Sequence, residues 1–385
     1  MGFCFGAPLS AQNVHNRKVE LNWLLKAVEA KKKIIMTGCR RIGKSSLCNK
    51  LEEKLKEDNW AVPVHMWCYP AKDFNRKDFF VELNRKFDES LESTLTYFSK
   101  LGKKAIKSVN YLKDITGRIQ VEGETDFGKI RVSLKERENK NEWELEAERF
   151  FFKLRKCVEK GVNICIIFDE YGVYQDVPDF QEGFYEYMNS KFKGFSIPLI
   201  LSGSQNLLRL GNWTREYEPM PMLDYFSKED TFSLIDKNKS KEFALGAKEL
   251  IFELTDGHPL YIQMIGSNAE RYTPGNSTVT KNKVMSAYED IVKGGSEYDE
   301  LVFESYLRGL KEIERKILSV IAKTGRVNDA VEISGILDRD TKEVLSFCEK
   351  LDVDYYLKKT EDKSYSYEFR DKIFEEWLKR SRRKI

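Results

Sequence analysis

The chain has 385 residues, 41% hydrophobic and 33% charged, with a net charge of +3. That length admits two or three domains of roughly 100–200 residues, with apolar material for a real core. The mild positive excess neither demands nor excludes nucleic acid. No apolar run approaches the roughly 20 residues of a membrane helix. The seven cysteines include no CxxC pair, and the three histidines complete no zinc pattern with them, so a cytoplasmic protein with buried, reduced thiols is expected.

From the N-terminus, Val19 to Ala30 reads as a helix, with Leu21, Leu24, Leu25 and Val28 at i, i+3, i+4 and i+7. Asn16 stands where a cap would, and Val19 and Leu21 would start the apolar face. A short strand, Ile34-Ile35-Met36, then runs into glycine. Gly38-Cys39-Arg40-Arg41-Ile42-Gly43-Lys44-Ser45 fits GxxxxGK[ST] in full, and a helix follows to about Glu57. Phosphate binding needs this arrangement: glycines let backbone N–H groups turn inward, and the helix N-terminus adds positive potential. Lys44 would reach the β- and γ-phosphates, and the Ser45 hydroxyl would complete a Mg²⁺ shell. The bland alternative, a chance glycine turn, is disfavoured by having both strand and helix in place.

Residues 61–68 suit a second strand, and 74–95 a helix with Phe79, Phe80, Leu83 and Phe87 on one face. Residues 97 to about 147 have the character of an insertion. A lysine-rich stretch (Lys100, Lys103, Lys104, Lys107, Lys113) precedes two alternating runs, Arg118–Glu122 and Lys129–Leu134, that suggest a hairpin. A helix over about 142–160 returns the chain to the sheet.

Val162 to Phe168 is a nearly continuous apolar run, as a buried parallel strand requires, and it ends in Asp169-Glu170. Asp169 would hold Mg²⁺ from its second shell, and Glu170 would polarise an attacking water; a surface acidic pair is the plain alternative. A helix over about 179–194 leads to a strand from Ile197 to Ser202, followed by Gly203-Ser204-Gln205. Ser202, Ser204 and Gln205 are candidates to sense a γ-phosphate, Ser204 first, against an ordinary serine-capped turn. Arg209 or Arg215 could be an arginine finger supplied in trans, or a plain surface residue. Met220 to Leu223 would be the last strand. Strands alternating with helices define an α/β P-loop domain. The guanine-reading Asn-Lys-x-Asp is absent, which favours ATP.

After about residue 227 the pattern is helical. An amphipathic helix is expected over 307–324, with further helices from Asp329 to Ile336 and Asp340 to Leu351. Tyr355–Leu357 and Tyr365–Phe369 alternate around Thr360-Glu361-Asp362-Lys363 as a wing-like hairpin. Such a module commonly reads DNA. Its presumed recognition helix is close to neutral, however, and the better phosphate contacts lie in the basic end Lys379–Lys384 and the lysines of 100–113.

Together these pieces resemble the archaeal ATPase family, a branch of the AAA+/STAND P-loop ATPases. The likeness rests on Asn16-Arg17-Lys18-Val19-Glu20-Leu21, the arginine-rich P-loop through Ser46, Asp169-Glu170, Gly203-Ser204, Gly257-His258-Pro259, and the closing segments around Tyr367–Asp371 and Phe374–Leu378. It implies an AAA+-like ATPase domain over 1–226 with the insertion at about 97–147, a helical lid over 227–304 and a winged helix over 305–385. It implies ATP and Mg²⁺ as ligands, with Asn16, Arg17 and Pro259 beside the nucleotide. It implies a hydrolase using Lys44, Glu170, Ser204 and Arg215. One departure is His258, where many relatives place a phosphate-contacting arginine in the lid. The implied function is an ATP-driven switch whose winged helix engages double-stranded DNA. The alternative is a STAND-like signalling ATPase that docks a protein partner or assembles as a nucleotide-dependent homo-oligomer. No membrane partner is expected.

Overall fold

The structure is a computed structural model describing residues 2–3, 7–58, 60–68, 73–100, 141–181, 183–204, 207–208, 211–294, 297–324, 328–360 and 365–380. The chain forms two compact units. One comprises Ser10–Thr37 and Lys44–Met222; the other comprises Met1–Leu9, Gly38–Gly43 and Leu223–Ile385.

The first unit is an α/β layer structure. Its strands are β1 (Lys33–Thr37), β2 (Val62–Trp67), β3 (Ile164–Asp169), β4 (Leu199–Gly203) and β5 (Glu218–Pro219). They form a five-stranded sheet in the order β2-β3-β4-β1-β5, every pair parallel. After α1 (Lys18–Glu29), which precedes β1, helices supply the long crossovers that parallel neighbours need: α2 (Lys44–Glu57), α3 (Arg76–Lys100), α4 (Glu142–Glu159), the single turn α5 (Pro178–Gln181) and α6 (Phe184–Lys193). Every residue of β3 and β4 is buried, which is why both open on an apolar run, before ending in Asp169 and in Ser202-Gly203. On α3, the expected face of Phe79, Phe80, Leu83 and Phe87 is fully buried. Phe79 meets the rings of Phe80, Phe168, Tyr174, Phe180 and Phe184 at centroid distances of 5.1–6.1 Å. Edge-to-face contacts of this kind add to the burial itself. Asn141 and Glu144 form a capping box that starts α4.

Three expectations are corrected here. Asn16 does not cap α1: the cap position is Arg17, with φ 64° and no side-chain cap bond, and Asn16 is also left-handed at φ 54°. Val19 is 79% exposed, and the face α1 buries is Leu24, Ala27 and Val28. The last strand is Glu218–Pro219 rather than Met220–Leu223. Pro219 lacks an N–H and suits an edge strand, and the ladder ends with Met220 N donating to Ile35 O at 2.8 Å. The hairpin expected over 118–134 lies outside the described residues.

The second unit is helical up to residue 324. It holds α7 (Lys228–Asn238), α8 (Leu245–Thr255), α9 (Pro259–Arg271), α10 (Lys281–Lys293), α11 (Glu297–Leu307) and α12 (Glu312–Thr324). The single helix expected over 307–324 is thus two helices, broken where Gly309 takes φ +87°. The apolar period continues across the break and hides it from a periodicity argument. Then come β6 (Asn328–Asp329), α13 (Ala330–Leu337), α14 (Thr341–Val353), β7 (Leu357–Lys359), β8 (Ser366–Phe369) and α15 (Lys372–Arg380). The strands β6, β8 and β7 form an antiparallel sheet in that order. Asp329 and Asp340 each accept N–H bonds from the first turn of the helix that follows. Gly257, at φ +78°, is needed for close approach: its carbonyl accepts Phe226 N–H at 2.9 Å, and a Cβ there would sit 2.0 Å from Phe226 O.

Candidate nucleotide-binding site

In a parallel α/β sheet, ligands gather beyond the carboxyl ends of the strands. Three of those ends carry the predicted chemistry. β1 ends at Thr37 and the loop Gly38–Gly43 leads directly into α2 at Lys44. The loop conformation is special: Arg41 is left-handed at φ 58°, and Gly43 has φ +106°, a value that favours glycine. Lys44 and Ser46 are buried, and Ser45 is half-buried, in the first turn of α2.

β3 delivers the acids. Asp169 is its last residue and is 2% exposed. Glu170 follows at φ 57°, in a left-handed conformation that costs a non-glycine residue roughly 1–2 kcal/mol. Its side chain is half-exposed, with Oε1 3.9 Å from Lys44 Nζ. One turn further along α2, burial pushes the Cys48 thiol well up, and the nearby charges of Asp169 and Glu170 add to the effect. The first two turns of α2 therefore face both acids.

β4 lies between β1 and β3. Its Leu201 pairs with Phe168, which puts Ser202 beside Asp169. The fully buried Ser202 donates its hydroxyl proton to Asp169 Oδ1. Ser204, the leading sensor candidate, is half-buried just past β4. Gln205 and Arg209 lie outside the described residues. Arg215 is exposed in the short turn Asn212–Glu216. Arg17 is buried and bonds Glu20 at 2.8 Å.

Oxygen donors suit Mg²⁺, which keeps several waters and binds through one or two carboxylates plus substrate phosphates. Asp169 and the Ser45 hydroxyl fit that chemistry. Among the described residues no cluster of three His, Cys, Asp or Glu side chains could hold a metal by itself.

Within the second unit, the loop Gly38–Gly43 has partners that the sequence does not reveal. Arg41 Nη2 donates to Ser305 Oγ at 2.9 Å, and the Arg40 guanidinium lies 5.3 Å over the Tyr356 ring. These pairs are hundreds of residues apart in sequence, and no local pattern signals them. His258, which stands where a phosphate-contacting arginine would be expected, caps α9. Its Nδ1 accepts Leu260 N–H at 3.3 Å, Pro259 follows at the first helical position, and the rings of Tyr225 and Tyr261 lie 5.0 and 4.7 Å away.

Fold and site together define a parallel α/β sheet domain with a P-loop between its first strand and the helix that follows. No protein-family model matches the sequence, and no curated protein matches it. Among solved structures, the Walker-type ATPase of Pyrococcus abyssi has a TM-score of 0.64 at 16% identity, covering 98% of this chain and 99% of that one. Two others cover most of the chain at lower scores. The Orc1 protein of Aeropyrum pernix, in complex with DNA, has a TM-score of 0.46 at 11% identity, covering 95% of this chain and 92% of that one. The RuvB Holliday junction branch migration motor of Thermotoga maritima has a TM-score of 0.44 at 14% identity, covering 92% and 93%. Among the described residues no helix is long and apolar enough to cross a membrane.

Proposed function

We propose that the protein binds ATP with Mg²⁺ and hydrolyses it, acting as a nucleotide-dependent switch. The observation that carries this reading is the meeting of Lys44, Asp169 and Glu170 at the carboxyl ends of β1 and β3, with Lys44 Nζ 3.9 Å from Glu170 Oε1. Backbone N–H groups of Gly38–Gly43 cradle the phosphates, and the Lys44 ammonium binds the β- and γ-oxygens. Glu170 orients a water and accepts its proton as the water oxygen attacks the γ-phosphorus. The bond to the β-bridging oxygen breaks, leaving ADP and phosphate. Asp169 and the Ser45 hydroxyl would hold Mg²⁺, which when bound would supply positive charge beside the phosphates. Ser204 is the polar group that follows the γ-phosphate, and an arginine such as Arg215 is the candidate finger for a neighbouring subunit. Asn16 and Arg17 flank the nucleoside.

Nucleotide state is read out through residues 305–385, taken as a winged helix behind a helical lid over 227–304. Duplex DNA is the first partner proposed. One observation favours the second reading, a protein partner. On α14, the presumed recognition helix, Lys350 is engaged by Glu314 at 2.6 Å and Asp354 at 3.4 Å. On α15, Lys379 pairs with Glu375 and Glu376, and Arg380 pairs with Glu289 at 2.6 Å. Cations already committed to carboxylates contribute less to phosphate contact.

The test is steady-state ATP hydrolysis by the wild type and Lys44→Ala, each with and without duplex DNA at low salt. Turnover that needs Lys44 supports the ATPase, and acceleration by DNA supports the first partner. Turnover indifferent to Lys44 would overturn the ATPase reading. Turnover that needs Lys44 but ignores DNA moves the readout to a protein.

A further inference from the structure

The bond between Ser202 and Asp169 gives Ser202 a role of its own. Both side chains are almost wholly withdrawn from water, Ser202 at 0% and Asp169 at 2% exposure. A carboxyl group turns freely about its last torsion, where preferences are broad and two-fold. Something must fix which oxygen faces the nucleotide. The hydroxyl of Ser202 bonds Oδ1 from the neighbouring strand, and a strand holds a side chain more precisely than a loop does.

Proton counting separates this role from phosphate sensing. A serine hydroxyl has one proton to donate and two lone pairs. The Ser202 proton is committed to Asp169, so what remains can only accept, and an accepting oxygen repels a phosphate oxygen. Ser202 therefore does not suit the sensor role for which its position first marks it. Two of the neighbouring side chains are poor substitutes as donors to the acid. Met36, the residue paired with Ser202 on β1, has no proton to donate, and the buried Cys48 near the acids carries only a weak S–H donor.

We propose that Ser202 is a positioning residue that holds Asp169 in the orientation required by the Mg²⁺ shell of the bound nucleotide. The proposal rests on the ATPase reading above. It predicts a defect confined to the metal-dependent part of nucleotide binding, because Ser202 acts only through Asp169. Loss of a hydrogen bond behind a metal-site carboxylate commonly lowers metal affinity roughly 10–100-fold.

The experiment titrates Mg²⁺ into the full chain with a fluorescent N-methylanthraniloyl ATP, for the wild type, Ser202→Ala and Ser202→Thr. Thermal melting reports folding, and electron paramagnetic resonance of Mn²⁺ with ADP reads the metal directly. In Ser202→Ala the Mg²⁺ needed for half-maximal enhancement of binding should rise about tenfold or more. Affinity in EDTA should stay within about twofold, and free Mn²⁺ signal should increase. Ser202→Thr, which keeps the hydroxyl, should restore most of the metal dependence. An unchanged Mg²⁺ titration in Ser202→Ala overturns the proposal. So does an equal loss of affinity with and without Mg²⁺, which would mark a general structural or phosphate-contacting role. A wild type that binds no nucleotide overturns the ATPase reading and this proposal together, whereas a wild type that binds normally beside an unaltered Ser202→Ala overturns this proposal alone.

Discussion

Lys44 Nζ stands 3.9 Å from Glu170 Oε1, at the outer edge of an ion pair, with Lys44 5% exposed and Glu170 half-exposed. A contact that long and partly solvated is weak. It gives the lysine a counter-charge that a phosphate can replace. Replacing Glu170 by Gln removes the counter-charge and the proton acceptor without changing the side chain's shape. ATP affinity in Glu170→Gln should therefore be unchanged or higher, while kcat falls by roughly 10²–10⁴. Single-turnover hydrolysis alongside equilibrium binding checks both; a variant with unaltered kcat would remove Glu170 from the mechanism.

Phe79 is fully buried and touches five aromatic rings from α3, β3 and the segment around α5 and α6. Truncating it leaves a cavity that those rings can fill only in part. Phe79→Ala should destabilise the α/β unit by about 3–5 kcal/mol, read as a lower urea midpoint. A loss under about 1 kcal/mol would mean that the cluster collapses around the gap.

Gly257 combines a left-handed φ of +78° with a backbone carbonyl where its Cβ would go. Gly257→Ala should cost at least about 2 kcal/mol, from left-handed strain plus damage to the Phe226–Gly257 hydrogen bond. Gly335, inside α13, has nothing within 4 Å of where a Cβ would sit and no positive φ. Gly335→Ala should be neutral or stabilising by up to about 1 kcal/mol. Parallel melts of the two variants test the contrast, and equal effects would refute it.

Asp371 is half-buried in the second unit, where desolvation pushes its carboxyl up from 3.8 to about 6. The N–H of Phe374 at 2.9 Å and the Tyr261 hydroxyl at 2.5 Å pull the other way without cancelling the burial. A carboxyl raised in the folded state favours its proton there. Its contribution to stability is complete below pH 3.8 and is lost as pH climbs through about 6. The full loss is of order 3 kcal/mol. Asp371→Asn keeps a neutral acceptor at all pH values, so its stability relative to the wild type should rise between pH 4 and pH 7. Melting both proteins across that range decides it; a difference that stays flat would show that Asp371 does not titrate there.

What can be read from the sequence is what is local. The P-loop announces itself because its glycines, lysine and serine fall within eight residues of chain, and β3 and β4 because burial on both faces gives each an apolar run before its polar end. Asp340 is legible as the start of a helix for the same reason. Asn16 misleads because a residue with a good capping side chain can take a backbone conformation that prevents capping. The break at Gly309 is hidden because two helices can share one apolar period across a turn. The Ser202–Asp169 and Arg41–Ser305 contacts join distant stretches of chain, and only the folded arrangement reveals them. Spacing alone puts Ser204 ahead of Ser202 as a sensor; the partner of the Ser202 hydroxyl is a fact of the fold.

The phosphate loop has one more consequence, for how this protein can be taken apart. Six residues, Gly38–Gly43, sit in sequence between β1 and α2, yet their side chains find Ser305 and Tyr356 in the C-terminal half. A chain cut after Met222 would keep every letter of the nucleotide motif while stripping Arg40 and Arg41 of those partners. Exchanging residues 223–385 for those of a distant cousin would do the same unless the loop were refitted with them. Modules usually recombine at their linkers; here the six loop residues group with residues 223–385, so any exchange of those residues has to carry Arg40 and Arg41 with it.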